Sequence, residues 1–232
     1  MNTLDPNYHA LVIGASGALG NAFVQALEAD PHCRRVVGVS RQSHPGFNLE
    51  DASSLTALAH ALQAHAPFNL IIDATGALTL EGRGPEKHLG ALEAEHLQHA
   101  FMVNATGPAL LLRHLAPLLP AKGRCVYAKL SARVGSISDN HKGGWYGYRA
   151  SKAALNMLLQ TAAIELARKR PELVVAALQP GTVKSRLSEP FVAAQQATDP
   201  ARAVTGLLQA LDSLAPSGRA HFIDYKGETI PW

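Results

Sequence analysis

The sequence predicts an α/β fold, a doubly wound parallel sheet in a single domain spanning residues 1–232. Short apolar runs recur near 9–13, 35–39, 69–73, 123–130, 173–179 and 220–223. Segments with helical periodicity lie between them, near 17–29, 52–65, 93–119, 146–169 and 200–213. Such alternation implies parallel strands covered by helices on both faces. Right-handed crossovers then gather ligands at the C-terminal edge of the strands. The 232 residues suffice for one large core, and neither repeats nor low-complexity linkers divide them.

The first strand, Ala10-Leu11-Val12-Ile13, runs directly into Gly14-Ala15-Ser16-Gly17-Ala18-Leu19-Gly20. A strand, a glycine-rich turn and a helix in succession form the phosphate-cradling unit of a Rossmann-type fold. Glycines let the backbone approach a pyrophosphate, and the helix N-terminus adds amides and a positive dipole. The helix itself shows in Phe23, Val24 and Leu27 and stops before Pro31. In the fourth helical segment Tyr148 and Lys152 are four residues apart, hence on one face. A lysine ammonium beside a phenol favours phenolate and fits the tyrosine for proton exchange near neutral pH. Either motif alone recurs widely; together, about 130 residues apart, they are specific.

With both motifs in place the chain resembles the short-chain dehydrogenase/reductase family over nearly its whole length. The family's TGxxxGxG reads here with Ile13 for the threonine and Ala18 for the middle glycine, keeping Gly14, Gly17 and Gly20. The stretch from Gly135-Ser136-Ile137 to Gly143-Gly144-Trp145-Tyr146-Gly147-Tyr148-Arg149-Ala150-Ser151-Lys152 is similar to a narrower branch, as is the ending Gly227-Glu228-Thr229-Ile230-Pro231-Trp232. That branch holds the C-factor cell-signalling proteins and the sniffer-type carbonyl reductases. The resemblance implies an oxidoreductase acting on CH–OH or C=O groups, an NADP(H)-dependent carbonyl reductase or alcohol dehydrogenase. It also implies an alternative, an NADP-binding signalling or regulatory protein with incidental turnover.

By the same resemblance, Gly14, Ser16, Gly17, Leu19 and Gly20 hold the pyrophosphate. After the second strand the chain reads Ser40-Arg41, where a carboxylate would favour NAD. A hydroxyl and a guanidinium are donors to a 2′-phosphate instead, so NADP(H) is expected over NAD(H). Asn48-Leu49 stands where the family has Asp-Val beside the adenine. Asp73-Ala74-Thr75-Gly76 replaces Asn-Asn-Ala-Gly, with Thr75 and Gly76 on the turn that passes the cofactor. Pro180-Gly181-Thr182-Val183 matches the turn beside the nicotinamide. A substrate lid is expected at about 183–197.

The catalytic group implied is Tyr148, Lys152, Asn104 and Ser131. Tyr148 exchanges the proton with the substrate oxygen, Lys152 holds the nicotinamide ribose, and Asn104 holds water in a relay to Lys152. The family pattern Ser-Ser-x-x-Gly reads here Ser131-Ala132-Arg133-Val134-Gly135, so alanine takes the carbonyl-polarising position. Strand side chains alternate faces, so Ser131 takes over only if the strand bends locally. Ser136 and Ser138 are the next hydroxyls along the chain.

Composition narrows the remaining classes. The chain is 47% hydrophobic and 17% charged, with net charge +3, an ordinary globular balance. Its basic residues are dispersed except for Arg168-Lys169-Arg170, which closes a helix. Nucleic acid is therefore not an expected partner. No run approaches the ~18 apolar residues of a membrane span, and no signal segment opens the chain, so a cytoplasmic location is expected. Cys33 and Cys125 have neither disulfide nor metal spacing, and the eleven histidines include no HExxH, so no metal is expected. The expected partners are a small carbonyl or alcohol substrate and further copies of this chain. The resemblance implies a homodimer or homotetramer formed through segments 93–119 and 146–169, and the run Ala153-Ala154-Leu155-Asn156-Met157-Leu158-Leu159 in the second is apolar beyond one buried face.

Overall fold

A computed structural model describes residues 1–185 and 197–232. Most of the lid segment lies outside these described residues. Six parallel strands form the sheet: β1 Tyr8–Ile13, β2 Cys33–Val39, β3 Leu70–Asp73, β4 Cys125–Leu130, β5 Leu173–Gln179 and β6 Ala220–Asp224. Their spatial order is β2-β1-β3-β4-β5-β6. The order reverses between β1 and β3, the switch point at which open α/β sheets bind ligands. Every strand pair is parallel, so the expected doubly wound sheet is borne out.

The helices between the strands are α1 Ala18–Glu28, α2 Ala52–Leu62, α3 Ala94–Phe101, α4 Gly107–Leu115, α5 Tyr146–Ala167 and α6 Pro200–Ser213. Side-chain alternation assigns the faces. Ala10 and Val12 of β1 pack with Phe23 and Leu27 of α1 and Val204, Leu207 and Leu211 of α6. Leu11 and Ile13 point the other way, to a core built with Leu55 and Leu58 of α2, Leu111 and Leu115 of α4, and Leu155 and Leu159 of α5. Burial on both faces explains why the central strands read as unbroken apolar runs.

The segment expected as one helix near 93–119 is interrupted. Met102–Thr106 is a π turn, in which the Gly107 N–H reaches back to the Met102 carbonyl. Ala116–Leu118 tightens into a 3-10 turn. A side chain on Gly107 would lie 2.7 Å from Leu49 Cγ and the Leu49 carbonyl oxygen, so glycine lets the loop after β2 close on this helix. α2 starts at Asp51, whose side chain caps the Ser53 N–H.

Candidate active site

The glycine loop is built as the spacing requires. Gly14 has φ of +83°, in the left-handed region, and its N–H and that of Ala15 both bond the Val39 carbonyl. A Cβ on Gly20 would stand 2.1 Å from the Gly14 carbonyl oxygen. α1 can therefore start against the loop only with glycine there. Gly17 precedes α1 with no side-chain cap, so the first-turn amides stay open to an anion. Ser16 is exposed and Leu19 half-buried beside them.

Beyond β2, Ser40 is buried and folded into its own turn. Its hydroxyl accepts the Gln42 and Ser43 N–H groups at 3.2 Å, and its N–H bonds Ser43 Oγ. Arg41 is exposed on that turn, so of the two residues it is the guanidinium that faces outward. Asn48 is exposed, its Oδ1 accepting the Glu50 N–H, and Leu49 is half-buried over Gly107. On the β5 exit, Gly181 has φ of +76° and packs against Tyr225. Pro180 is half-buried, Thr182 exposed and Val183 buried. The Thr182 carbonyl accepts the Thr198 N–H.

Between these turns lies the chain after β3. Asp73 Oδ1 accepts both the N–H and the hydroxyl of Thr75, at 2.9 and 2.6 Å. Asn104, buried in the π turn, uses its amide twice on Ala77: Oδ1 accepts the Ala77 N–H and Nδ2 donates to the Ala77 carbonyl, each at 2.9 Å. Gly76 between them has φ of +134°. A Cβ there would sit 3.1 Å from Asn104 Oδ1 and 3.3 Å from Lys152 Nζ. Asn104 and Lys152 thus converge on Gly76, and the Tyr148 ring lies beside Lys152.

Lys152 is buried, and its Nζ donates to the Leu130 carbonyl at 3.2 Å. It lies 5.7 Å from the centroid of the Tyr148 ring. Burial drives its pKa from 10.5 to about 7, helped by the cation of Lys129 and opposed by Asp73. Burial alone pushes the Tyr148 phenol up to about 12. The expectation that Lys152 lowers the tyrosine is not met in this geometry: at neutral pH the phenol keeps its proton, and the lysine titrates.

The N-terminus of α5 is held from outside. Trp145 precedes it in the left-handed region, φ +55°, and supplies no cap. Instead Glu86, buried in the loop after β3, accepts the Gly147 N–H through Oε2 at 2.9 Å, and its carbonyl accepts the Trp145 N–H. The spacing of Tyr148 and Lys152 carries no hint of this distant carboxylate.

The Ser131 hydroxyl has a partner of its own. It donates to Asn156 Oδ1 at 2.7 Å, on the turn of α5 below Lys152. The structure brings Tyr148, Lys152 and Asn104 together but gives Ser131 a different partner. Physically, β4 continues straight: Ser131 N–H bonds the Leu178 carbonyl, and Ala132 stays extended. With no bend, the faces alternate and Ala132 takes the other side. Ser136 is buried and accepts the Asp139 N–H; Ser138 donates to the Trp232 carbonyl.

Sequence reasoning singles out neither Lys129 nor its pairing with Asp73. Both are fully buried and paired at 3.1 Å across β3 and β4. A lysine inside an apolar strand was the available signal.

The model of the short chain dehydrogenase family matches residues 8–196. The C-signal protein of Myxococcus xanthus is 36% identical over 146 residues, 62% of this chain and 83% of that protein. Among solved structures, the NADPH-bound carbonyl reductase from chicken fatty liver superposes with a TM-score of 0.84 at 23% identity, covering 99% of this chain and 95% of that one. The Sniffer carbonyl reductase of D. melanogaster gives 0.82 at 20% identity, covering 97% and 99%.

The lysine carries a pH signature. Its unfolded pKa near 10.5 exceeds the folded value of about 7, so between those values the unfolded chain binds the extra proton. Stability therefore rises with pH across that window. From pH 7 to 8.5 this one group should add roughly 1–2 kcal/mol. Urea unfolding of the parent and of Lys152→Met should show the rise shrinking by that amount in the variant; parallel pH dependences would contradict the assignment. From its fold, its site and the family match, the chain belongs to the short-chain dehydrogenase family and is an oxidoreductase of CH–OH and C=O groups.

Proposed function

We propose that the chain is an NADP(H)-dependent carbonyl reductase, with Tyr148 as proton donor to the oxygen of a ketone or aldehyde. The observation that carries this reading is the convergence of Asn104 and Lys152 on Gly76, with the Tyr148 ring beside Lys152 Nζ. The cradle suits a dinucleotide: glycine at position 20 lets α1 start against the Gly14 loop, and the α1 amides carry no side-chain cap. Gly14, Ser16, Gly17, Leu19 and Gly20 would hold the pyrophosphate, Arg41 with the Ser40 turn the 2′-phosphate, and Asn48 and Leu49 the adenine. Thr75, Gly76, Lys152 and Pro180 to Val183 would line the nicotinamide half. Bound NADPH supplies the hydride. The raised pKa of Tyr148 keeps a proton on Oη to give to the developing alkoxide. Lys152, with its pKa near neutral, is suited to return that proton from Asn104's side.

The carbonyl-polarising hydroxyl is missing at Ala132, and this favours a second reading. In it, dinucleotide occupancy sets a signalling state and turnover is incidental. The C-signal relative agrees with it.

The two readings separate on a panel of aldehydes and ketones. Under the first, NADPH binds at least tenfold tighter than NADH by calorimetry, about 1.4 kcal/mol, and the panel is reduced. Tyr148→Phe keeps that binding and loses reduction by a large factor. A panel that stays untouched by the parent protein rejects the reductase reading.

The serine position gives an independent measurement. With its hydroxyl on Asn156, Ser131→Ala should leave kcat/KM within a few-fold. A hundredfold fall in Ser131→Ala with unchanged stability would return the role to Ser131.

Assembly through α5 belongs to the same proposal. Met157, Leu158 and Ile164 expose apolar surface along it, Met157 to 66%. Light scattering should give a multiple of 24.6 kDa; a monomer mass at micromolar concentration refutes the idea.

A further inference from the structure

Lys129 and Asp73 stand opposite one another in the β3–β4 register, both fully buried. A lone charge there would be untenable, and even a pair is often no more stable than apolar residues of the same size. The pair makes more bonds than its own salt bridge. Lys129 Nζ also donates to the carbonyl of Thr75 at 2.5 Å and to Thr75 Oγ1 at 3.0 Å. Asp73 holds Thr75 from the other side, through its N–H and hydroxyl. Every polar group of Thr75 is therefore gripped from below the sheet edge, while Asn104 grips Ala77 two residues on. Gly76, against which Lys152 Nζ rests, is suspended between the two clamps.

Resting on the dinucleotide-site reading, we propose that Lys129, with Asp73, is a positioning residue: it fixes the Thr75–Gly76 turn beneath Lys152 and sets the charge that Lys152 faces. Lys129 is the cation, and Asp73 the anion, whose charge acts on Lys152. Tyr127 abuts Asp73 from β4, its phenol raised far above its usual range by burial and by that carboxylate. On α5 itself, Tyr148 is protonated. The other charges packed against α5 pair elsewhere. Arg133 binds Asp139 and Asp224 toward β6, and Glu86 faces His96 at the first turn. On α4, Arg113 and His114 lie in the last turn.

The test follows Lys152 directly, by NMR titration of protein carrying 13C at lysine Cε, so it needs no turnover. Removing one charge strands the other in the core, so the principal variant is Lys129→Met with Asp73→Asn, and Asp73→Asn alone is the second. Because the cation outweighs the anion in its effect on Lys152, the paired variant should move the Lys152 midpoint upward. Asp73→Asn should move it downward. NADPH affinity by calorimetry should fall at least tenfold in the paired variant while it still melts cooperatively. A folded paired variant with an unmoved Lys152 midpoint overturns the proposal, whatever its activity. A parent protein that reduces no carbonyl defeats the reductase reading and leaves this measurement intact.

Discussion

A parallel ladder cannot be closed by a hairpin, so each strand must be left by a crossover that returns along a helix. The described residues form six parallel strands, and that constraint sends all their C-terminal ends to one edge. The Gly14 loop, the Ser40 turn, the Asp73–Ala77 turn, Ser131 and Pro180 are consecutive exits at that edge. Residues far apart in sequence thereby share a site without any long-range pattern to announce it. The rest of the molecule keeps these exits at fixed heights, through two apolar cores on opposite sheet faces.

What the sequence disclosed followed from local periodicity. Leu11 and Ile13 alternate with Ala10 and Val12, and Tyr148 and Lys152 are one helical turn apart; such spacings survive folding because the backbone imposes them. The site's exceptions are tertiary. Ser131 is adjacent to Ala132 in sequence, but only the straight exit of β4 and the presence of Asn156 on α5 decide where its hydroxyl goes. The pairing of Asp73 with Lys129 depends on the β3–β4 register, which neither strand encodes alone. Glu86 caps a helix sixty-one positions away. The sign of the Tyr148 shift escapes the sequence for a related reason: the proximity of a cation is legible there, whereas burial, which dominates, is not.

The electrostatics of the site are accordingly a balance of desolvation against few charges. Two buried lysines and one buried aspartate share the space behind Gly76, leaving an excess of positive charge when both lysines are protonated. Such a region is costly in the absence of an anion and favourable beside one.

The π turn at Met102–Thr106 has a consequence for the shape of the whole helical layer. A residue added to a helix advances the following face by about 100°. α3, before the turn, packs mainly on α5, whereas α4, after it, packs mainly on α2. One nearly continuous rod thus serves two neighbours on different sides of it, and the slip in phase is where Asn104 projects toward the Ala77 backbone. Deleting a single residue here would restore a regular helix and turn one of its halves away from its partner. The length of this segment is therefore as much a part of the site as the identity of its asparagine.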